Sequence, residues 1–175
     1  SLTRFKHTKP IITPRFIPSC TDDLMFGLSD LRRRYDLPVQ SHLSENLGEI
    51  EWVKELCPSA KFYGDAYDRF GLFGGDHRCI MAHCVHSDAR ERAAMRAANV
   101  LAVHCPDSNT NLCSGIAPVK QMLREGVWTA LGSDIAGGAI LPMMGVMVAA
   151  IRASKLRHIA EGYGFLAPHE AYYLA

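Results

Sequence analysis

The sequence has no long apolar run. Its longest, Ala139 to Ile151, is broken by Pro142 and falls short of the roughly 18 to 20 residues that a membrane-spanning helix needs, so no membrane partner is expected. It has no excess of one charge either. The 19 Lys plus Arg stand against 18 Asp plus Glu, a formal net charge of +1, which leaves no overall field to draw nucleic acid. Six cysteines include no CxxC pair, and no secretory h-region or cleavage site is visible. A reducing, cytoplasmic setting is therefore expected rather than a disulfide scaffold. Neither GxGxxG nor GxxxxGK[ST] occurs, so Gly137-Gly138 is only a faint phosphate-loop candidate. Internal repeats, low-complexity tracts and Pro/Gly/Ser linkers are missing too, which points to one domain or part of one. What remains, 48% hydrophobic and 21% charged, is ordinary globular composition. Small neutral substrates stay open as partners.

Five short apolar segments recur, at Pro10 to Phe16, Pro38 to His42, Arg78 to Cys84, Val100 to Cys105 and Val127 to Asp134. Continuous runs of this length suit strands of a parallel sheet buried on both faces. Helical patterns alternate with them: Leu24, Leu28, Leu31 and Tyr35; Ile50, Trp52, Val53 and Leu56; Ala89 to Ala98 behind a Ser87 cap; and Val119, Met122 and Leu123. Arg32 to Arg34 read as a solvated helix face, and Met143, Met144 and Met147 as packing of a helix against the sheet. The order is α/β with a parallel sheet, either open and doubly wound or part of a barrel. At roughly 31 residues per unit, 175 residues hold about five to six βα units, so a barrel of eight would lack about three strands.

Polar residues close these strands: Arg15 after IITP, His42 and Glu45 after PVQS, His83 after CIMA, His104 after VLAV and Asp134 after ALGS. Parallel α/β folds gather their active sites at that edge. Two imidazoles and a carboxylate from separate strands have the ligand types of catalytic zinc, and Glu45 is placed to move protons beside it. Each residue has a plainer reading. A lone strand-end histidine is more often a hydrogen-bonded structural residue. Asp134 can cap a following helix, Arg15 can form a surface ion pair, and Glu45 can be a first-turn charge favoured by the helix dipole. Their recurrence at successive strand ends favours function.

TPRF around Arg15, QSHLSEN from Gln40 to Asn46, MAHCVH from Met81 to His86, HCPDSN from His104 to Asn109 and GSDIAGG from Gly132 to Gly138 together resemble the guanine deaminase family of the amidohydrolase superfamily. The resemblance runs in order from about Lys9 to the end. SHxSEN, MAH, HCPxSN and the strand-ending SD belong to the wider group of amidohydrolase deaminases and chlorohydrolases; PRF with GxDxAGG narrows it toward guanine. The resemblance implies part of a (β/α)8 amidohydrolase barrel, about strands four to eight, and one Zn(2+) per active site. The implied activity is hydrolytic deamination of guanine to xanthine and ammonia by a zinc-activated hydroxide. His42 and Asp134 would be zinc ligands, with Asp134 also orienting or deprotonating the water. His83 would hold or polarise that water, and Glu45 would shuttle protons. Arg15 and Phe16 would bind the purine, and Leu43 and Ser44, with His42, Glu45 and Asp134, would border it. A homodimer is implied for the intact enzyme.

The HxH string that supplies two further histidine ligands in that family is missing. Together with the opening Ser1 and an EAYYLA end that reads as mid-helix, this leads to the expectation of a partial chain. The first three strands and a small β-sandwich would lie outside residues 1–175, and the piece alone would be a poor zinc site and inactive. Alternatives are a related amidohydrolase acting on another aminopurine, a pyrimidine or a triazine, and a non-catalytic truncated scaffold. The HxE with PCxxC zinc deaminases are disfavoured, because Cys105-Pro106 has the reverse order.

Overall fold

The computed structural model describes residues 6–175. Four strands form one sheet: β1 (Val39–Leu43), β2 (Cys79–His83), β3 (Val100–His104) and β4 (Thr129–Leu131). They lie side by side in chain order and every pairing is parallel. A doubly wound sheet reverses its strand order at a switch point; strict sequential order without reversal is the arrangement of a barrel wall.

The helices are α1 (Asp22–Tyr35), α2 (Leu47–Leu56), α3 (Tyr63–Asp68), α4 (Ala89–Ala97), α5 (Pro106–Asn111), α6 (Val119–Glu125), α7 (Met143–Glu161) and α8 (Pro168–Leu174). Local chemistry sets several starts. Thr21 Oγ1 accepts from Leu24 N, Asn46 from Glu49 N and Asp88 from Glu91 N, so each satisfies an otherwise orphaned amide. The cap of α4 is thus Asp88 rather than the expected Ser87. In α1, Asp22 and Asp23 open the helix and Arg32 to Arg34 close it, complementing its dipole.

Burial separates the two faces of the sheet. Val39, Ser41 and Leu43, then Cys79 and Met81, then Val100 and Ala102 are buried, whereas Gln40, His42, Ile80, Ala82, Leu101 and Val103 are half-buried. The apolar members of the buried set join Met25, Val53, Tyr67, Leu72, Met95 and Met122 in one core. A second core joins Leu131 to Val146, Ala150, Leu166 and Leu174. The strands therefore present one helix-covered face and one partly open face, and the latter carries His42.

Several expectations are corrected. Arg32 is buried and donates to Gly74 O (2.7 Å), so only its neighbours belong to a solvated face. Met147 is buried, but Met144 is 68% exposed. The segment from Pro10 to Phe16 forms only a single bridge, Ile12 with Val39; Pro10 and Pro14 lack the amide protons a longer ladder requires. No helix among the described residues is long and apolar enough to cross a membrane.

Candidate active site

The Ile12 bridge brings the next four residues over the carboxyl end of β1. Ile12 N donates to Pro38 O and Gln40 N to Ile12 O. Beyond it, Ser41 Oγ lies 2.8 Å from Pro14 O, and Gln40 Nε2 donates to Thr13 Oγ1 (3.2 Å). Arg15 and Phe16 are thereby held beside His42. The Phe16 ring meets Trp52 of α2 edge to face at 6.1 Å, and the Arg15 guanidinium lies 5.9 Å from the Phe16 centroid.

Arg15, Phe16, His42, Glu45, Glu49 and Trp52 line a groove of about 270 Å³. Arg15 and His42 also line a second one, of about 400 Å³, that runs along the half-buried face of the sheet to Cys105 and Asp134. Five expected residues, Arg15, Phe16, His42, Glu45 and Asp134, therefore surround two grooves with a shared border. Burial, with the charges of Asp134 and Glu45 behind it, pushes the Cys105 thiol up to about 12, so it stays protonated and unreactive.

His83 closes the group from β2. Its ring centroid is 5.2 Å from that of His42, and its Nε2 lies 3.6 Å from Glu45 Oε2. The other Glu45 oxygen accepts from Ser114 Oγ (3.0 Å). On its far side, His83 Nδ1 is 2.8 Å from Asn109 Oδ1.

The Leu43 and Ser44 side chains point elsewhere. Leu43 lies in the core, and the Ser44 hydroxyl donates to Glu91 Oε2 (2.7 Å), whose partner oxygen accepts from Gly64 N (2.9 Å). Burial raises the Glu91 pKa, although both hydrogen bonds oppose the shift. Glu49 supports the same turn: its carboxylate accepts from Glu45 N (3.2 Å) and from the Tyr63 hydroxyl (2.7 Å). Glu91 and Glu49 hold the loop that aims Glu45, and neither stood out in the sequence.

Asp134 does not cap a helix, since the next one begins at Met143. It lies instead in a tight turn that returns Gly137 N and Gly138 N to its carbonyl. A Cβ on Gly137 would sit 2.6 Å from Asp134 Oδ2 and 2.7 Å from Ser108 Oγ, so glycine there makes room for the carboxylate. Ser44, His83 and Asp134 all have left-handed backbones, with φ of 47°, 74° and 43°. At roughly 1 to 3 kcal/mol each for a non-glycine residue, such strain persists only where the surrounding structure imposes it, and it gathers at functional sites.

His104 follows the plainer reading. It is buried and its Nδ1 faces Asn109 Nδ2 at 3.4 Å; burial, and secondarily His83, lowers its pKa to about 3. It is a neutral structural imidazole.

His42 and Asp134 offer a nitrogen and an oxygen of the types zinc takes, in one groove. Ser108 Oγ, buried without a hydrogen-bond partner, lies across the Gly137 gap from Asp134. No group of three or more His, Cys, Asp or Glu able to hold a metal occurs among the described residues. The donors thus fit such an ion in type but do not complete a tetrahedral set.

Residues 3–175 match the amidohydrolase family. Guanine deaminase of Dictyostelium discoideum is 42% identical over 168 residues, 95% of this chain and 37% of that protein. Probable guanine deaminase of Schizosaccharomyces pombe is 45% identical over 129 residues, 74% of this chain and 24% of that protein. Guanine deaminase from C. acetobutylicum, solved with guanine bound in its active site, superposes with a TM-score of 0.92 at 50% identity, over 95% of this chain and 40% of that one. An adenosine deaminase from Xanthomonas campestris with bound zinc shares the fold at a TM-score of 0.87 and 22% identity, over 99% of this chain and 38% of its own. The chain thus spans between a quarter and two fifths of the length of these relatives.

Proposed function

The chain belongs to the amidohydrolase family, and from that premise we propose that the protein of which it forms the described part hydrolyses guanine to xanthine and ammonia. The observation that carries this reading is the grouping of Arg15, Phe16, His42, Glu45 and Asp134 around adjoining grooves, with His83 beside His42 and Glu45. Similarity to a guanine deaminase solved with guanine in its active site supports the substrate.

In this reading His42 and Asp134 would hold one zinc ion, with further ligands supplied from an HxH strand outside residues 1–175. Zinc, when bound, supplies the Lewis acidity that makes water nucleophilic near neutral pH. The rest is the work of the chain's own side chains. The Arg15 guanidinium donates to the purine while Phe16, braced by Trp52, covers its face. Nε2 of His83 orients the attacking water. Its two protons, taken up at Asp134 and Glu45, go one to the ring nitrogen and one to the departing amine, with Glu45, one oxygen held by Ser114 and the other toward His83, as the carrier. The leaving group departs as ammonia, so water adds and ammonia leaves with no redox partner. A cytoplasmic setting and a homodimer belong to the same reading; the six free cysteines support the former.

Arg15→Ala tests the pocket. Loss of a charged hydrogen-bond donor should lower kcat/KM for guanine by about 10- to 100-fold. An unchanged kcat/KM for guanine refutes the assignment of Arg15.

A further inference from the structure

Asn109 has no role in the chemistry above, yet it is fully buried and its amide lies between two imidazoles. Oδ1 is 2.8 Å from His83 Nδ1, and Nδ2 is 3.4 Å from His104 Nδ1. One end of an amide only accepts and the other only donates. An amide placed between two ring nitrogens therefore fixes the tautomers of both rings together. As oriented here, Oδ1 accepts from a protonated Nδ1 of His83, and Nδ2 donates to an unprotonated Nδ1 of His104.

The contact lengths favour this orientation: the shorter one is on the His83 side, where an N–H···O bond is expected to be shorter than the N–H···N contact to His104. A His104 held neutral by burial keeps one ring nitrogen unprotonated, which is compatible with Nδ1 receiving the Nδ2 proton. On the opposite edge of His83, the gap of 3.6 Å between Nε2 and Glu45 Oε2 is longer than a direct hydrogen bond. A water or reacting group touching both atoms would have to sit beside the pair rather than between them.

We propose that Asn109 is a positioning residue that keeps the His83 proton on Nδ1, leaving Nε2, the nitrogen facing Glu45, as the acceptor that orients the attacking water. The assignment of that water rests on the deamination reading; the tautomer itself does not. The physical logic is that of a catalytic or ligating imidazole whose working nitrogen is chosen by the hydrogen bond its other nitrogen makes. Asn109 is well placed to be rigid, because its backbone amide donates to Cys105 O and its carbonyl accepts from Ser114 N. The residue whose backbone it holds, Ser114, also donates to Glu45, so the α5 segment fixes both groups that flank the gap.

The test uses the full-length protein labelled with 15N-histidine, with His83→Gln to assign the His83 signals. The ring shifts should show a protonated Nδ1 and an unprotonated Nε2 in the wild type. Asn109→Leu, which removes the acceptor, should shift His83 toward the opposite tautomer or a mixture, whereas Asn109→Asp, whose carboxylate still accepts from Nδ1, should retain it. In parallel, Asn109→Leu should lower kcat for guanine roughly 10- to 100-fold with KM within about twofold, and Asn109→Asp should restore at least about tenfold of that loss. A buried amide with a merely structural role would not move the tautomer. A wild-type His83 protonated on Nε2 overturns the proposal, as does an Asn109→Leu spectrum unchanged at His83. The wild-type spectrum decides even if Asn109→Leu fails to fold. A wild type with the Nδ1 proton that releases no ammonia from guanine upholds the tautomer and refutes the deamination reading instead.

Discussion

Acidification from pH 7 to 5 should weaken folding through His104 in a way that can be isolated from every other group. Its pKa is about 3 in the folded protein against an ordinary 6.5, so its folded value is depressed. Between those values the unfolded chain binds a proton that the folded one refuses. Stability is therefore highest above pH 6.5, falls as pH drops below it, and stops falling through this group only near pH 3. From pH 7 to 5 the linkage amounts to about 2 kcal/mol. His104→Asn removes the titration and leaves an amide oxygen near the position of Nδ1 to accept from Asn109. Urea unfolding of wild type and variant at both pH values is the assay. With a slope of about 2 kcal/mol per molar, the wild-type midpoint should lose about 1 M more than the variant's on acidification. Carboxylates titrate alike in both proteins and cancel in that difference. Parallel pH dependences would refute the buried, neutral His104 and with it one half of the Asn109 bridge.

Two more outcomes follow from the loops that aim the candidate residues. Glu91→Ala strands the Ser44 hydroxyl and the Gly64 amide and should cost about 2 kcal/mol or more in thermal or urea unfolding, with Glu91→Gln costing less. Because the folded Glu91 pKa is raised, its contribution is full below the ordinary carboxylate range and declines as pH rises through the raised value; the deficit of Glu91→Gln should shrink over that rise, and a deficit that grows with pH contradicts the assignment. Gly137→Ala puts a methyl 2.6 Å from Asp134 Oδ2, so deamination should fall at least about tenfold while circular dichroism stays native; full activity would show that the Asp134 carboxylate need not occupy this position.

The sequence pattern located the architecture well where apolar runs end in polar residues. Cys79–His83 and Val100–His104 fall inside the expected segments and Val39–Leu43 runs one residue past its own, because central parallel strands are buried enough to leave unbroken hydrophobic runs. The outer segments are less complete: Pro10 and Pro14 limit the first to a single bridge, and the last shrinks to Thr129–Leu131. Helices α3 and α5, spelled YGDAYD and PDSNTN, are too short and polar to display a 3.6-residue period. Among the candidate residues, Arg15, His42, Glu45, His83 and Asp134 stand out in the sequence because strand ends are where parallel folds place chemistry. Glu91 and Glu49 do not, since a residue that acts by holding another has no positional signature, and Asn109 enters only as the last residue of HCPDSN, with no role attached. The same applies to the positive φ of Ser44, His83 and Asp134, which no non-glycine residue type announces by itself.

The measurement that bears most directly on the central claim is ammonia release by the full-length protein given guanine, adenine, cytosine and an aminotriazine in parallel, with Glu45→Gln alongside. Guanine alone should be turned over, and Glu45→Gln should lose that turnover. Turnover of a different compound would contradict the purine pocket, undiminished turnover by Glu45→Gln would contradict the proton shuttle, and no turnover of any compound would contradict the enzyme.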